Sequence, residues 1–283
     1  MVMLLYPDKV KILLTANNQQ ETNGNPFQVG SSETLRPLSS PLLINSSPDA
    51  WDEWLAGLID GDGSLLVSKS GYTSCEITMG IEDAHALAII KQKLGGSVKL
   101  RSGVKALRYR LHHNSGMLEL IRRINGKIRH TSRLKQLEAV CLALKIPIKY
   151  PLILTKDNGW FSGFFDADGT ITYSMKNTYP QLTVSVTNKL RTDVICFKDI
   201  FGGNVYYDKG QYGYYKWSIQ SRGDIEKFQA YLKTYPCLSN KKQRVSLINL
   251  YYVLSDLEAY SAALGSPLAK AWARFNEKWH KRG

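Results

Sequence analysis

Apolar residues in this chain change period in a fixed order. Leu55, Leu58 and Ile59 fall at i, i+3 and i+4, the spacing of one helix face, and Gly61 and Gly63 end the run. A short strand is predicted at 64–68, then a turn around Ser70-Gly71 and an alternating strand at 76–81. Leu87, Ile90 and Leu94 place a helix at 83–94, stopped by Gly95-Gly96. Strands at 97–101 and 107–112 follow, then helices at 115–125 and 132–144. The same order then recurs: helix 161–167, strands 170–175 and 182–187, and helix 190–201 stopped by Gly202-Gly203. Strands 204–207 and 214–220 and helices 224–232 and 240–254 complete it. The predicted fold is α+β: two pseudosymmetric αββαββα units, each with a four-stranded antiparallel sheet.

A repeated phrase fixes the relation between the units. Trp54-Leu55-Ala56-Gly57-Leu58-Ile59-Asp60-Gly61-Asp62-Gly63 returns as Trp160-Phe161-Ser162-Gly163-Phe164-Phe165-Asp166-Ala167-Asp168-Gly169, at a constant offset of 106. Solenoid periods run to roughly 20–50 residues, so this is a duplicated domain. The expected organisation is a leader at 1–50, one unit at 51–150 and a second at 151–283. From 17 to 48 the leader is rich in Asn, Gln, Ser, Thr and Pro without period, and reads as a disordered extension. Asp8 comes too early for a secretory signal, and the Arg-rich character of a transit peptide is missing.

The phrase contains two costs that ask for a cause. Gly57 and Gly163 each lower helix propensity by about 1 kcal/mol, but a residue without Cβ lets another backbone approach closely. One helix–helix seam about a pseudo-twofold axis would account for both. Asp62 and Asp168 end their helices at the negative pole, where a carboxylate is disfavoured by about 0.3–1 kcal/mol. Packing the helices side by side would bring the two carboxylates together and disfavour them further. Divalent cations bridging them remove both penalties, and Mg²⁺ takes one or two carboxylates plus phosphate oxygens and waters. Two metals between carboxylates and facing a basic surface are suited to phosphodiester cleavage. Asp60 and Asp166, two residues earlier, are assigned to local hydrogen bonding.

Charge supports a polyanionic partner. The chain has 37 Lys and Arg against 24 Asp and Glu, and residues 51–283 hold all the excess. In 107–112, Arg108, Arg110 and His112 alternate with apolar residues, and Lys216 and Ser218 do so less cleanly in 214–219. Such faces fit a nucleic-acid groove. His112-His113-Asn114 lacks a partner cluster for a metal and is read as polar and DNA-facing. Leu268, Trp272, Phe275 and Trp279 form an apolar stripe flanked by Lys270, Arg274, Lys278, Lys281 and Arg282, a packing helix whose basic outer face would lengthen the DNA footprint. Four singly placed cysteines argue against a zinc site or a disulfide framework and suit a reducing compartment. No run approaches the roughly 20 apolar residues of a membrane span, so no membrane partner is expected.

The two phrases resemble the LAGLIDADG homing endonucleases, in the single-chain, pseudosymmetric form. Leu55 to Gly63 reads LAGLIDGDG, departing only by Gly61 for alanine, and the second copy keeps its glycine and the DADG end. The resemblance covers about residues 52–255. It implies a monomeric, Mg²⁺-dependent, site-specific double-strand DNA endonuclease, encoded in an intron of an organelle, the mitochondrion or the chloroplast. Asp62 and Asp168 would be the catalytic metal-binding acids, assisted by the carbonyls of Gly61 and Ala167. The two sheets would form a DNA-binding saddle that reads the major grooves flanking a cut made across the minor groove. Ser68, Ser70, Ser174 and Lys176 of the first hairpins would join Arg108, Arg110, His112, Lys216 and Ser218 on the DNA. A basic residue is expected at the start of each last helix. Lys241 supplies it in the second unit. In the first, aligning Lys135-Gln136 with Lys242-Gln243 at an offset of 107 leaves Leu134 opposite Lys241, so Lys135 or Arg133 would serve. The family also yields RNA-binding maturases, so host intron RNA is the alternative partner.

Overall fold

The computed structural model describes residues 49–210 and 213–281. The expected leader therefore lies outside the described residues, apart from Asp49 and Ala50 at its end, as does Arg282 of the expected basic flank.

In the first half, α1 (Ala50–Asp62) opens with Asp52 and Glu53 at its positive pole and passes into extended backbone at Gly63. Strand β1 (Gly63–Val67) pairs antiparallel with β2 (Thr73–Gly80), with Gly63 opposite Ile77. A 3-10 turn (Ile81–Asp83) leads into α2 (Ala84–Leu94), which Gly95 ends at φ 76. Strands β3 (Ser97–Leu100) and β4 (Ala106–Leu111) complete a sheet of order β1-β2-β4-β3. Helices α3 (Asn114–Ile124) and α4 (Thr131–Leu144) follow.

The second half repeats this plan. Helix α5 (Trp160–Asp168), β5 (Gly169–Lys176), β6 (Tyr179–Asn188), a 3-10 turn (Arg191–Asp193) and α6 (Cys196–Phe201) precede β7 (Asn204–Asp208) and β8 (Tyr214–Ile219). The sheet order is β5-β6-β8-β7. Helices α7 (Arg222–Thr234) and α8 (Lys241–Asp256) match α3 and α4, and α9 (Pro267–His280) is additional. The α+β prediction holds in both halves. The helix expected at 190–201 is broken instead: Val194, at φ −126, leaves helical space, and only six residues form α6. β-Branched Thr192 and Val194 favour that break.

Alternation buries one face of each sheet. Cys75, Ile77 and Met79 of β2 and Leu182, Val184 and Val186 of β6 point into the core. The first half fills that space with aliphatic residues, such as Leu87, Ile90, Leu120 and Ile121. The second uses rings: the Phe161 centroid lies 4.6 Å from those of both Phe197 and Phe201, with Trp217 edge-on at 5.7 Å.

The halves meet through α1 and α5. A Cβ on Gly57 would fall 1.9 Å from the Trp160 carbonyl oxygen, and one on Gly163 would fall 1.8 Å from that of Trp54. Both glycines are there so that two backbones can touch. Helix α9, capped by Ser266 with Pro267 in its first turn, packs Trp272, Phe275 and Trp279 on Tyr173 of β5. Among the described residues no helix is long and apolar enough to cross a membrane.

Candidate active site

Asp62 and Asp168 are the last residues of α1 and α5, and both are half-buried at the seam. The close fit continues here: a Cβ on Gly61 would meet Ala167 Cβ at 2.3 Å and Asp168 Oδ2 at 3.3 Å. Burial, and next the charge of Asp168, push the Asp62 carboxyl up to about 6. Burial also raises Asp168, opposed by Lys241, His130 and Arg133. Two acids that resist ionisation at the negative ends of two helices form a site suited to a cation. Among the described residues no cluster of three or more His, Cys, Asp or Glu could hold a metal ion. A cation here would have two carboxylates and would draw its remaining ligands from backbone, water or phosphate oxygens. That donor set suits a hard divalent ion.

Two basic side chains stand behind the acids. Lys241, the first residue of α8, donates from Nζ to the carbonyls of Phe165, Asp166 and Ala167 at 2.9, 2.7 and 2.7 Å. Burial pulls its ammonium below the ordinary lysine range. In the first half Arg133 takes this place: Nε donates to Ile59 O at 3.2 Å and Nη2 to Gly61 O at 3.3 Å. Each half thus covers the end of its own acid-bearing helix with a cation, the favourable sign for that pole. Lys135 is exposed and is not on these carbonyls.

The alignment of the last helices is corrected accordingly. Gln136 Oε1 accepts from Leu65 N at 2.9 Å, while Arg244 Nη1 donates to Ile171 O at 3.0 Å. Leu65 and Ile171 are a matched pair at offset 106, so Gln136 faces Arg244 and Arg133 faces Lys241, at an offset of 108. The Lys-Gln likeness that suggested 107 is a coincidence, since it matches the inward Gln136 with the exposed Gln243. The inward positions, three apart on one helix face, carry the true register.

Asp60 and Asp166 do hydrogen bond, but not locally. Trp160 Nε1 donates to Asp60 Oδ2 at 2.7 Å, and Trp54 Nε1 donates to Asp166 Oδ2 at 2.8 Å, each across the seam. The same carboxylates accept from backbone just ahead of the last helices: Arg129 N to Asp60, Leu238 N to Asp166, both at 2.8 Å. Ser239 Oγ also donates to Asp166. Burial pushes Asp60 up to about 7. Each acid therefore ties together its own helix, the other half's tryptophan and the segment that launches its own half's active-site cation. The tryptophans open the repeated phrase; that they recur was visible in the sequence, but their partners were not.

The expected DNA-facing residues belong to the sheets. Arg108 and Arg110 share a face of β4 with Glu76 on β2, at 3.6 and 3.2 Å. His112 is exposed just beyond β4. His113, also exposed, is the N-cap of α3, its Nδ1 accepting from Gly116 N at 3.0 Å, a role the sequence reading did not give it. Ser68 and Ser70 lie at the first hairpin tip, their hydroxyls 3.1 Å apart. Ser174 and Lys176 are exposed on β5 and Lys216 is half-buried on β8, whereas Ser218 is only 7% exposed.

This geometry has counterparts in known proteins. The family model described as LAGLIDADG endonuclease matches residues 55–144 and again 161–251. The probable intron-encoded endonuclease aI2 of Debaryomyces hansenii is 44% identical over 288 residues, covering 96% of this chain and 43% of that protein. The intron-encoded RNA maturase bI4 of Saccharomyces cerevisiae is 44% identical over 313 residues, covering 98% and 49%. The chain thus spans less than half the length of these two curated relatives. The intron-encoded DNA endonuclease ai2b of Dictyostelium discoideum is 35% identical over 236 residues, covering 80% of this chain and 88% of that protein. Among solved structures, the LAGLIDADG meganuclease I-AabMI bound to uncleaved DNA shares the fold, with a TM-score of 0.60, 17% identity and coverage of 82% of this chain and 99% of that one. With one family match over each half, and a glycine-seamed, acid-ended helix opening each, this chain belongs to the LAGLIDADG endonuclease family as a two-motif member.

Proposed function

We propose that the chain is a monomeric, site-specific DNA endonuclease that hydrolyses both strands of its target with Mg²⁺. The observation that carries this reading is the paired carboxylates of Asp62 and Asp168, both raised, at the ends of two touching helices. Asp62 and Asp168 would hold the metal, with the carbonyls of Gly61 and Ala167 beside them. A bound divalent ion would supply charge neutralisation at the scissile phosphates and a more acidic water. The protein's own part is to hold the carboxylates at the seam and the cations Arg133 and Lys241 behind them, with Lys135 the exposed alternative in the first half. The sheet faces, with Arg108, Arg110, Lys176 and Lys216, would grip flanking duplex. The intron-encoded relatives support a gene within an intron. We place the protein in an organelle, the mitochondrion first and the chloroplast second, within the domain limits 1–50, 51–150 and 151–283.

The test is cleavage of the intronless host-gene junction with Mg²⁺. Wild type is expected to cut both strands, and Asp62→Asn/Asp168→Asn to bind the same duplex without cutting. Equal cutting by both proteins sinks the nuclease reading. The maturase relative favours a second reading, binding of host intron RNA to assist splicing. Splicing supported equally by wild type and the double mutant would reveal that activity as separate from cleavage.

A further inference from the structure

The first turns of the helices that carry Lys241 and Arg133 are reached from across the seam by two acids that the repeated phrase does not contain. Asp83 ends the 3-10 turn after β2 of the first half, and its Oδ1 accepts from Asn240 N at 2.6 Å. Asn240 is the N-cap of α8 and the neighbour of Lys241. In the second half Asp193 ends the corresponding 3-10 turn. Its Oδ1 accepts from Thr131 Oγ1 at 2.8 Å and Thr131 N at 3.3 Å, at the first residue of α4 and two before Arg133. His130 Nε2 lies 3.3 Å from its other oxygen. A carboxylate at a helix N-terminus satisfies otherwise orphaned N–H groups and matches the positive pole.

The arrangement recurs although the chain does not keep step. The two acids are 110 residues apart, against 106 for the phrase and 108 for the cations. The contact has therefore been kept by placement in space while the connecting turns changed length. Each half holds its own cation helix from behind through Asp60 or Asp166, and the opposite half holds that helix's first turn.

We propose that Asp83 and Asp193 are positioning residues that act crosswise: Asp83 of the first half sets Lys241 of the second, and Asp193 of the second sets Arg133 of the first. It rests on the nuclease reading and assigns each half control over the strand served by the other.

The experiment is strand-resolved cleavage of an end-labelled duplex carrying the intronless junction, with Mg²⁺, using the full chain. Lys241→Met is expected to slow one strand and Arg133→Met the other. Asp83→Ala is then expected to slow the Lys241 strand by about 3- to 30-fold, the range that loss of a helix cap supports, and to leave the other strand unchanged. Asp193→Ala does the reverse. Asp83→Asn, which keeps an acceptor oxygen, restores most of the rate. Asp83→Ala/Lys241→Met is no slower than Lys241→Met alone, because the acid acts through the lysine. Should Asp83→Ala fail to fold, Asp83→Glu carries the same strand-biased expectation. Equal slowing of both strands, no slowing in a folded variant that binds target DNA with Ca²⁺, or multiplied losses in the double variant overturns the inference while leaving the nuclease reading intact. If wild type cuts neither strand, the nuclease reading fails and takes the inference with it.

Discussion

Asp60 and Asp62 are two residues apart, and burial raises both for different ends. Asp60 gives up solvent to join the halves, and Asp62 gives it up to face Asp168. Their carboxyls titrate near 7 and near 6 in the folded protein, against 3.8 ordinarily. The folded, metal-free chain therefore binds more protons than the unfolded one in that window. The stability they contribute is full below about pH 4 and is lost as pH rises through about 6–7. Relative to Asp60→Asn, the Tm of the metal-free protein should fall between about pH 4 and about pH 7. A difference that stays flat over that range contradicts this. Mg²⁺ should raise Tm more at about pH 7.5 than at about pH 5, where protons compete for Asp62. The increment should vanish in Asp62→Asn/Asp168→Asn.

At the scale of elements, the seam between α1 and α5 tolerates no added carbon. Gly57→Ala would drive a methyl into carbonyl and amide backbone that cannot swing aside, so a loss of about 1–3 kcal/mol or more is expected, read as a fall of several degrees in Tm. Gly61 meets a side chain instead, Ala167 Cβ. Gly61→Ala should therefore destabilise, and Gly61→Ala/Ala167→Gly should recover most of the loss by exchanging the two residues across the axis. If the double variant is no better than the single, the methyl clash is not the cause. This seam was legible in the sequence because a glycine inside an apolar helix costs stability and needs a reason. The register of α4 against α8 was not, because Lys135-Gln136 imitates the exposed pair Lys242-Gln243 in sequence while Gln136, like Arg133, faces inward. Nor were the partners of Asp60 and Asp166: a hydrogen bond spanning about a hundred residues leaves no local pattern. The shortened α6 escaped for a simpler reason, since its apolar spacing is helical and only the backbone at Val194 is not.

For the whole molecule, the net charge of +13 is spread unevenly. Lys270, Arg274 and Lys278 rise one turn apart along the exposed side of α9, with Lys281 beyond, and none has an ion-pair partner among the described residues. Lys278 and Lys281 line a hollow with Lys241 and Arg244, so this second-half addition brings positive charge up to the active-site cation. Replacing Lys270, Arg274 and Lys278 by Gln should reduce the slope of log K against log salt by about 0.9 for each phosphate contact removed, with base preference unchanged. A slope equal to wild type would take α9 off the DNA. The two-unit α+β plan was readable from period and repeat alone, whereas the crossing of contacts between units needed coordinates. That crossing follows dimer rules. Trp54 gives its indole N–H to Asp166 as Trp160 gives its own to Asp60, so one patch meets its own likeness across an axis. Of the segment between the halves, Asn158 and Gly159 belong to the dock, both donating to Glu53 of α1 at 2.7 Å, and Leu154 is buried in the core. The remaining linker positions keep each half at a high effective concentration for the other, so the exposed ones, such as Leu152 and Ile153, are expected to tolerate substitution far better than the ten residues on either side of the seam.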